Sequence, residues 1–260
     1  MNQETPEERH EPETQPAFDR IPPGSPPSTT TMVEDRPPVR RWSLLETLPV
    51  VVFLLLLTGL SLGSSGEPVP HVNIRMVLVT QSLLYLFILL YIHSVLRLRH
   101  RLPFWPALNW KPVGKIRFLV AGLALAVLVQ FLRLPVERKL PIEQLFENRQ
   151  AAFLLAAFGI LIAPLVEEII FRGFVFGAVE RAWGLRYAVW TTALLFAAVH
   201  VPQLRGGTVQ MLAILGVGLV LSWARGSTGS LAASYFIHLA YNTTLFVMLF
   251  VVTHGFREFG

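Results

Sequence analysis

Long stretches without a single Asp, Glu, Lys or Arg are the feature that most limits what this chain can fold into. They include residues 76–96, 118–132, 151–166, 206–224 and 226–256. About 20 consecutive apolar residues are enough for a helix to cross the hydrocarbon layer of a bilayer. Only 15% of the 260 residues are charged, whereas a soluble domain has about 25%. The sequence therefore predicts a polytopic, all-α transmembrane helix bundle rather than a soluble protein.

The distribution of apolar and polar residues divides the chain into three parts. Residues 1–41 carry 9 of the 19 prolines and few large apolar side chains, a composition typical of a disordered tail because it cannot bury enough surface to fold. N-terminal transmembrane helices are predicted over residues 42–134, and a second transmembrane domain over 135–260. The seven predicted spans are residues 44–62, 75–96, 116–134, 151–180, 187–202, 208–224 and 230–253.

Charge and cysteine content exclude several classes of protein. The net charge is +5, with 22 basic against 17 acidic residues, but the basic residues lie between the apolar runs, where they orient a membrane protein. We therefore expect no nucleic-acid partner. The basic loops favour a cytoplasmic N-terminus. The absence of cysteine excludes a thiol nucleophile and a Cys-ligated metal.

Three predicted spans contain polar side chains among apolar neighbours, and such side chains indicate function because they are costly in a membrane. They are Glu167, Glu168 and Arg172 in one span, His200 in a second, and His238 with Asn242 in a third. Glu168 and Arg172 are four residues apart and can pair on one helix face, while Glu167 is rotated by about 100° toward another helix. At a rise of 1.5 Å per residue, Glu167, both histidines and Asn242 lie within about 10 Å of one another in depth.

These polar residues are open to three interpretations from the sequence alone. An acid with two histidines can activate water for hydrolysis. The same groups can form a proton relay in a proton-coupled transporter, although no repeated halves are evident. Interhelical hydrogen bonds of a membrane scaffold are the third interpretation.

The three motifs together resemble a known family signature. They read Glu167-Glu168-x-x-x-Arg172, then Phe196-x-x-x-His200, then His238-x-x-x-Asn242. This order resembles the CPBP family of CAAX-processing and bacteriocin-processing intramembrane proteases, also called Abi or type II CAAX prenyl endopeptidases. The resemblance covers roughly residues 141–252. It implies that residues 135–260 form a catalytic transmembrane domain.

The resemblance also implies roles for the individual residues. Glu167 with His200 would activate a water molecule, while His238 and Asn242 would stabilise the oxyanion. Glu168, Arg172 and Phe196 would support the site. Alternatively, Glu167, His200 and His238 would bind a divalent metal such as zinc, since two His and a Glu are a known catalytic zinc set. Both mechanisms stay open at this point.

The expected function is that of a membrane endopeptidase. Its substrate would be a CAAX-type prenylated protein or another membrane-associated peptide, and its partners would be that substrate and the lipid bilayer. A bacterial inner membrane is the expected location. The alternatives are a catalytically inactive peptide-binding scaffold or immunity protein, and a proton-coupled transporter.

Overall fold

The protein is helical wherever its structure is described. A computed structural model describes Met1 and residues 41–63, 73–131, 141–205 and 207–259. Within these ranges every regular element is a helix and no strand occurs. The all-α prediction is therefore confirmed. The predicted disordered tail lies outside the described residues, except for Met1 and Arg41.

Ten α-helices follow one another along the described chain, with two π-helical and two 3₁₀ segments between or after them. The first four are α1 (Leu44–Gly63), α2 (Ile74–His93, continued by a π-helix over Ser94–Arg99), α3 (Phe104–Ala107) and α4 (Lys115–Phe131). A 3₁₀ turn over Pro141–Leu145 leads to α5 (Arg149–Leu161), α6 (Ala163–Glu168), a π-helix (Ile169–Val175) and α7 (Phe176–Trp183). The last are α8 (Leu185–Val199), α9 (Thr208–Thr228) and α10 (Leu231–Val252), with a final 3₁₀ turn at Arg257–Phe259.

Polar caps and glycines set several of the helix ends. Asn73, Asn148 and Ser230 each accept a hydrogen bond from a backbone N–H in the first turn of α2, α5 and α10, which satisfies a donor that has no partner within the helix. Gly184 and Gly229 have φ angles of 89° and 62°. Glycine adopts this left-handed region without steric cost, so α7 and α9 end sharply there.

The helices agree with the predicted membrane segments. Each of the seven predicted spans coincides with a helix or a run of consecutive helices. Five segments are long and apolar enough to cross a membrane: Leu44–Leu62, Ile74–Arg99, Arg149–Trp183, Thr208–Thr228 and Leu231–Val252. α4 and α8 are shorter, at 17 and 15 residues. The number of crossings therefore stays a prediction.

Two helix ends differ from the predicted spans in ways that matter below. α8 ends at Val199, so His200 lies in the turn that follows rather than inside the helix. α9 continues to Thr228, so Arg225 is inside the helix and only 2% exposed. Arg225 tolerates this burial because its guanidinium lies over the Phe176 ring and donates to a backbone carbonyl.

Close helix contacts hold α10 against α4 and α9 against α8. A methyl group at Gly122 of α4 would overlap the backbone oxygen of Ile237 and approach the Cβ of Ala240 to 2.8 Å. At Gly218 of α9, the same addition would lie 3.2 Å from the backbone of Ala193. Small residues at such crossings let helix backbones approach within a membrane. α9 also contacts α10, so α4 and α9 both pack against α10, and α8 packs against α9.

Gly122→Ala should destabilise the α4–α10 contact. Alanine favours a helix over glycine by about 1 kcal/mol, but the overlap with the Ile237 backbone should outweigh this and lower the free energy of unfolding by roughly 1–3 kcal/mol. Thermal unfolding in detergent, followed by tryptophan fluorescence, measures the difference. Gly216→Ala in α9 is the matched control because no atom lies within 4 Å of its new methyl group. Equal stability of the two variants would contradict the packing argument.

Candidate functional site

The two adjacent glutamates lie at the end of α6, where the helix changes from α to π geometry. Glu168 is fully buried, whereas the side chain of Glu167 is 15% exposed. Consecutive residues on a helix differ by about 100° in direction, so the two carboxylates enter different surroundings. Glu168 faces Arg172, and Glu167 faces α2 and α10.

Glu168 and Arg172 form a fully buried ion pair. Arg172 Nη1 lies 3.0 Å from Glu168 Oε1, with both side chains 0% exposed. The other guanidinium nitrogens donate to Ser222 Oγ at 3.2 Å and to the Gly218 carbonyl at 3.1 Å, both on α9. The guanidinium carbon also lies 4.4 Å from the centre of the Phe196 ring. Arg172 therefore joins its own helix to α8 and α9.

The π-helix over Ile169–Val175 exposes backbone carbonyls to partners from other parts of the chain. A change between i+5 and i+4 hydrogen bonding leaves carbonyls without the usual helical partner. Arg225 Nε donates to the carbonyl of Arg172 at 3.1 Å. Trp42 Nε1 donates to the carbonyl of Phe174 at 2.9 Å, and the two rings stack. These bonds fix the segment that carries Arg172.

His238 of α10 lies between the two glutamates. Its Nδ1 is 3.1 Å from Glu168 Oε1, and its Nε2 is 3.8 Å from Glu167 Oε2. An ionised carboxylate can only accept a hydrogen bond, so Nδ1 carries the proton and donates to Glu168. The second oxygen of Glu168 has no hydrogen-bond partner among the described residues. The 3.8 Å separation from Glu167 is too long for a direct hydrogen bond.

His200 follows α8 and turns back onto its own chain. Its Nδ1 lies 2.7 Å from the carbonyl oxygen of Phe196. Because a carbonyl only accepts, Nδ1 is the protonated nitrogen, and Nε2 of the neutral ring is left as an acceptor. The Phe196 ring contacts both imidazoles, with centroids 4.5 Å from His200 and 5.7 Å from His238. Phe196 thus packs against both histidine rings.

Asn242 lies one turn beyond His238 on α10 and contacts a different helix. Its amide Nδ2 donates to the Gly159 carbonyl of α5 at 2.7 Å. It makes no hydrogen bond to Glu167, His200 or His238 within the described part of the chain. One of its two amide hydrogens is engaged in this bond, so the other can still be donated.

The structure thus brings most of the predicted residues together. Arg172 and His238 both donate to Glu168 Oε1, and Glu167 lies beside His238. His200 joins them through the Phe196 ring rather than by a hydrogen bond to Glu167. The catalytic roles assigned to these residues stay predictions.

Tyr85 of α2 is a site residue that the sequence did not single out. Its hydroxyl donates to Glu167 Oε1 at 2.8 Å. Tyr85 lies in an apolar run 82 residues before its partner, outside the three motifs. The one sequence signal for this contact is a tyrosine hydroxyl group within a charge-free segment. That signal is weak, because a tyrosine can also occupy such a segment for the packing of its ring alone.

Among the residues that the structure describes, no group of three or more His, Cys, Asp or Glu is placed so that it could hold a metal ion. His238 directs Nδ1 to Glu168, and His200 directs Nδ1 to a backbone carbonyl. These bonds leave Nε2 of both rings as the nitrogen that could bind a metal, since a metal-binding histidine usually donates its other ring N–H to a carboxylate or a carbonyl. The metal set of Glu167, His200 and His238 stays a prediction, and we derive no step through a metal.

Comparison with known protein families finds a match over the segment that carries these residues. Residues 149–244 match the family model described as Rce1-like, type II CAAX prenyl endopeptidase. The segment begins at α5 and ends within α10, and it contains all three motifs but not Tyr85. The resemblance to CAAX-processing membrane proteases is confirmed for this segment. Neither a curated protein nor a solved structure gives a significant match.

Removing Arg172 should harm folding more than removing the whole ion pair. Arg172→Leu strands the Glu168 carboxylate in an apolar core, at a cost of about 3–5 kcal/mol. Arg172→Leu with Glu168→Leu removes both charges and should recover part of the folded yield. Size-exclusion chromatography and thermal unfolding in detergent measure both variants.

The control for this comparison is Arg186→Leu, which makes the same exchange at an exposed position in the first turn of α8. It should leave the folded yield unchanged. A double variant that folds no better than Arg172→Leu would contradict the pairing argument and would indicate that Glu168 is needed for another reason, such as its bond to His238.

Proposed function

We propose that this chain is an intramembrane endopeptidase that hydrolyses a peptide bond of a membrane-associated substrate, with Glu167 as general base. The observation that carries the proposal is the placement of Glu167 inside the Rce1-like segment. One carboxylate oxygen is held by Tyr85, and the other faces His238 at 3.8 Å. A CAAX-type prenylated protein or another membrane peptide is the proposed substrate.

The first step follows from the acceptors that the site offers. A water molecule next to Glu167 Oε2 would give a proton to the carboxylate while its oxygen attacks the carbonyl carbon of the substrate. His200 Nε2 would accept the second hydrogen bond of this water. A carboxylate in a site of low dielectric suits such general-base work near neutral pH.

The second requirement is a donor for the oxyanion. His238 donates from Nδ1 to Glu168, and in its protonated form it would also donate from Nε2 toward the developing oxyanion. Because Glu168 and Arg172 cancel each other's charge, the Glu167 carboxylate would balance a protonated His238 before the attack, and the oxyanion would balance it afterwards. The free amide hydrogen of Asn242 would be the second donor.

Collapse of the intermediate breaks the carbon–nitrogen bond and needs a proton for the leaving amine. Glu167 holds the proton taken from water and would return it to the amine nitrogen, which restores the Glu167 carboxylate. The products are a carboxylic acid, whose hydroxyl group comes from the water, and an amine.

Glu167→Gln should abolish cleavage while the fold persists. Loss of a general base lowers the rate by roughly 10²- to 10⁴-fold. His200→Ala should be comparably inactive, and Glu167→Gln with His200→Ala no worse, since residues that act as a unit do not lose activity additively. Asn242→Ala should lose about 10²- to 10³-fold.

The measurement is cleavage of prenylated and unprenylated membrane-tethered peptides by the full chain in proteoliposomes. Glu143→Gln is the control because it makes the same exchange at an exposed position. Wild-type rates in Glu167→Gln would overturn the assignment. Peptide binding without cleavage by the wild type would indicate a scaffold, and solute flux would indicate a transporter.

Cleavage should persist after treatment with a strong chelator, because the proposed steps use only side chains and water. The rate before and after dialysis against chelator is the measurement. Activity that is lost and then restored by zinc would contradict the glutamate mechanism and support a metal bound by Glu167, His200 and His238.

A further inference from the structure

A helix outside the family-like segment supplies a contact to the proposed general base. Tyr85 lies in the middle of α2 and is 8% exposed. Its hydroxyl donates to Glu167 Oε1 at 2.8 Å, and its ring stacks on Phe158 of α5 with centroids 6.0 Å apart and planes 10° from parallel. The phenol is therefore held both by its ring and by its hydroxyl.

The direction of this hydrogen bond is set by chemistry. An ionised carboxylate can only accept, so the single proton of the phenol points at Glu167. A hydrogen bond to a charged group is stronger than one between neutral groups. Since Oε1 is fixed on the α2 side, rotation of the carboxylate is restricted, and Oε2 stays directed at His238 of α10.

We propose that Tyr85 is the positioning residue of this site: it fixes the Glu167 carboxylate so that Oε2 faces the water to be activated. This inference rests on the proposed function. It adds that residues 149–244 are not sufficient for full activity, because one contact that orients the base comes from α2. Catalytic geometry must be held within fractions of an ångström, so a base free to rotate is a poorer base.

The test compares two variants of the same helix. Tyr85→Phe keeps the ring and removes the donor, and it should lower kcat about 10- to 100-fold with KM unchanged, as expected for one hydrogen bond to a charged group. Tyr91→Phe is the matched control, since it removes a hydroxyl that donates to the Glu46 carbonyl at 2.8 Å, away from the site. It should leave kcat unchanged.

A rescue variant separates donation from packing. Tyr85→4-aminophenylalanine retains an N–H donor at the same place and should recover most of kcat. Tyr85→4-methoxyphenylalanine retains an oxygen without a donor and should be as slow as Tyr85→Phe. The midpoint temperatures of thermal unfolding in detergent should agree within a few degrees for all of these variants. If Tyr85→Phe and the wild type had equal kcat, the proposal would be overturned.

A spectroscopic readout tests the contact without relying on activity. The intensity ratio of the tyrosine Fermi doublet in ultraviolet resonance Raman spectra falls when the hydroxyl is a strong donor. The difference between the spectra of the wild type and Tyr85→Phe isolates the signal of Tyr85, and its intensity ratio should have the low value of a strong donor. In the Glu167→Gln variant, this lowering of the ratio should be weaker. A signature unchanged by Glu167→Gln would overturn the Tyr85 proposal even if cleavage occurs. A wild type that shows the signature but cleaves no substrate would instead overturn the proposed function.

Discussion

The buried pair of Glu168 and Arg172 is the interaction on which the arrangement of the site depends. Two charges with no solvent exposure are costly in an apolar bundle, and their mutual attraction alone seldom repays that cost. Here the guanidinium is also satisfied by Ser222 and the Gly218 carbonyl. The carboxylate in turn accepts from His238. One ion pair therefore fixes the positions of α8, α9 and α10 around the end of α6.

Much of this could be predicted from the sequence because helical periodicity is a local property. The spacing of Glu168 and Arg172 predicts a pair on one face, and the structure contains it. Long apolar runs predict the helices, and the family-like segment follows from three short motifs. Counting residues also predicts that His238 and Glu167 lie within about 10 Å of each other in depth, and their atoms approach to 3.8 Å.

The remaining features depend on contacts between distant parts of the chain, which spacing does not reveal. Tyr85 in α2 and Trp42, which precedes α1, reach the site region from segments that carry no motif. Arg225 directly follows the predicted span 208–224, where the sequence predicts a loop, yet it is buried against the Arg172 carbonyl. The π-helix that exposes this carbonyl is a property of the folded backbone and has no pattern of residues that predicts it.

These contacts place the two adjacent glutamates in different surroundings, so the two carboxylates differ in the chemistry that they can perform. Glu168 is enclosed by Arg172 and His238, so its charge is already neutralised and it cannot approach a substrate. Glu167 is turned by about 100° away from that pair and retains partial exposure, and within the described ranges the one hydrogen bond that its carboxylate accepts comes from Tyr85. A general base needs an ionised oxygen that is held in place but not fully occupied. Of the two carboxylates, only Glu167 meets that condition, because a neighbouring helix contacts one of its oxygens and leaves the other facing His238.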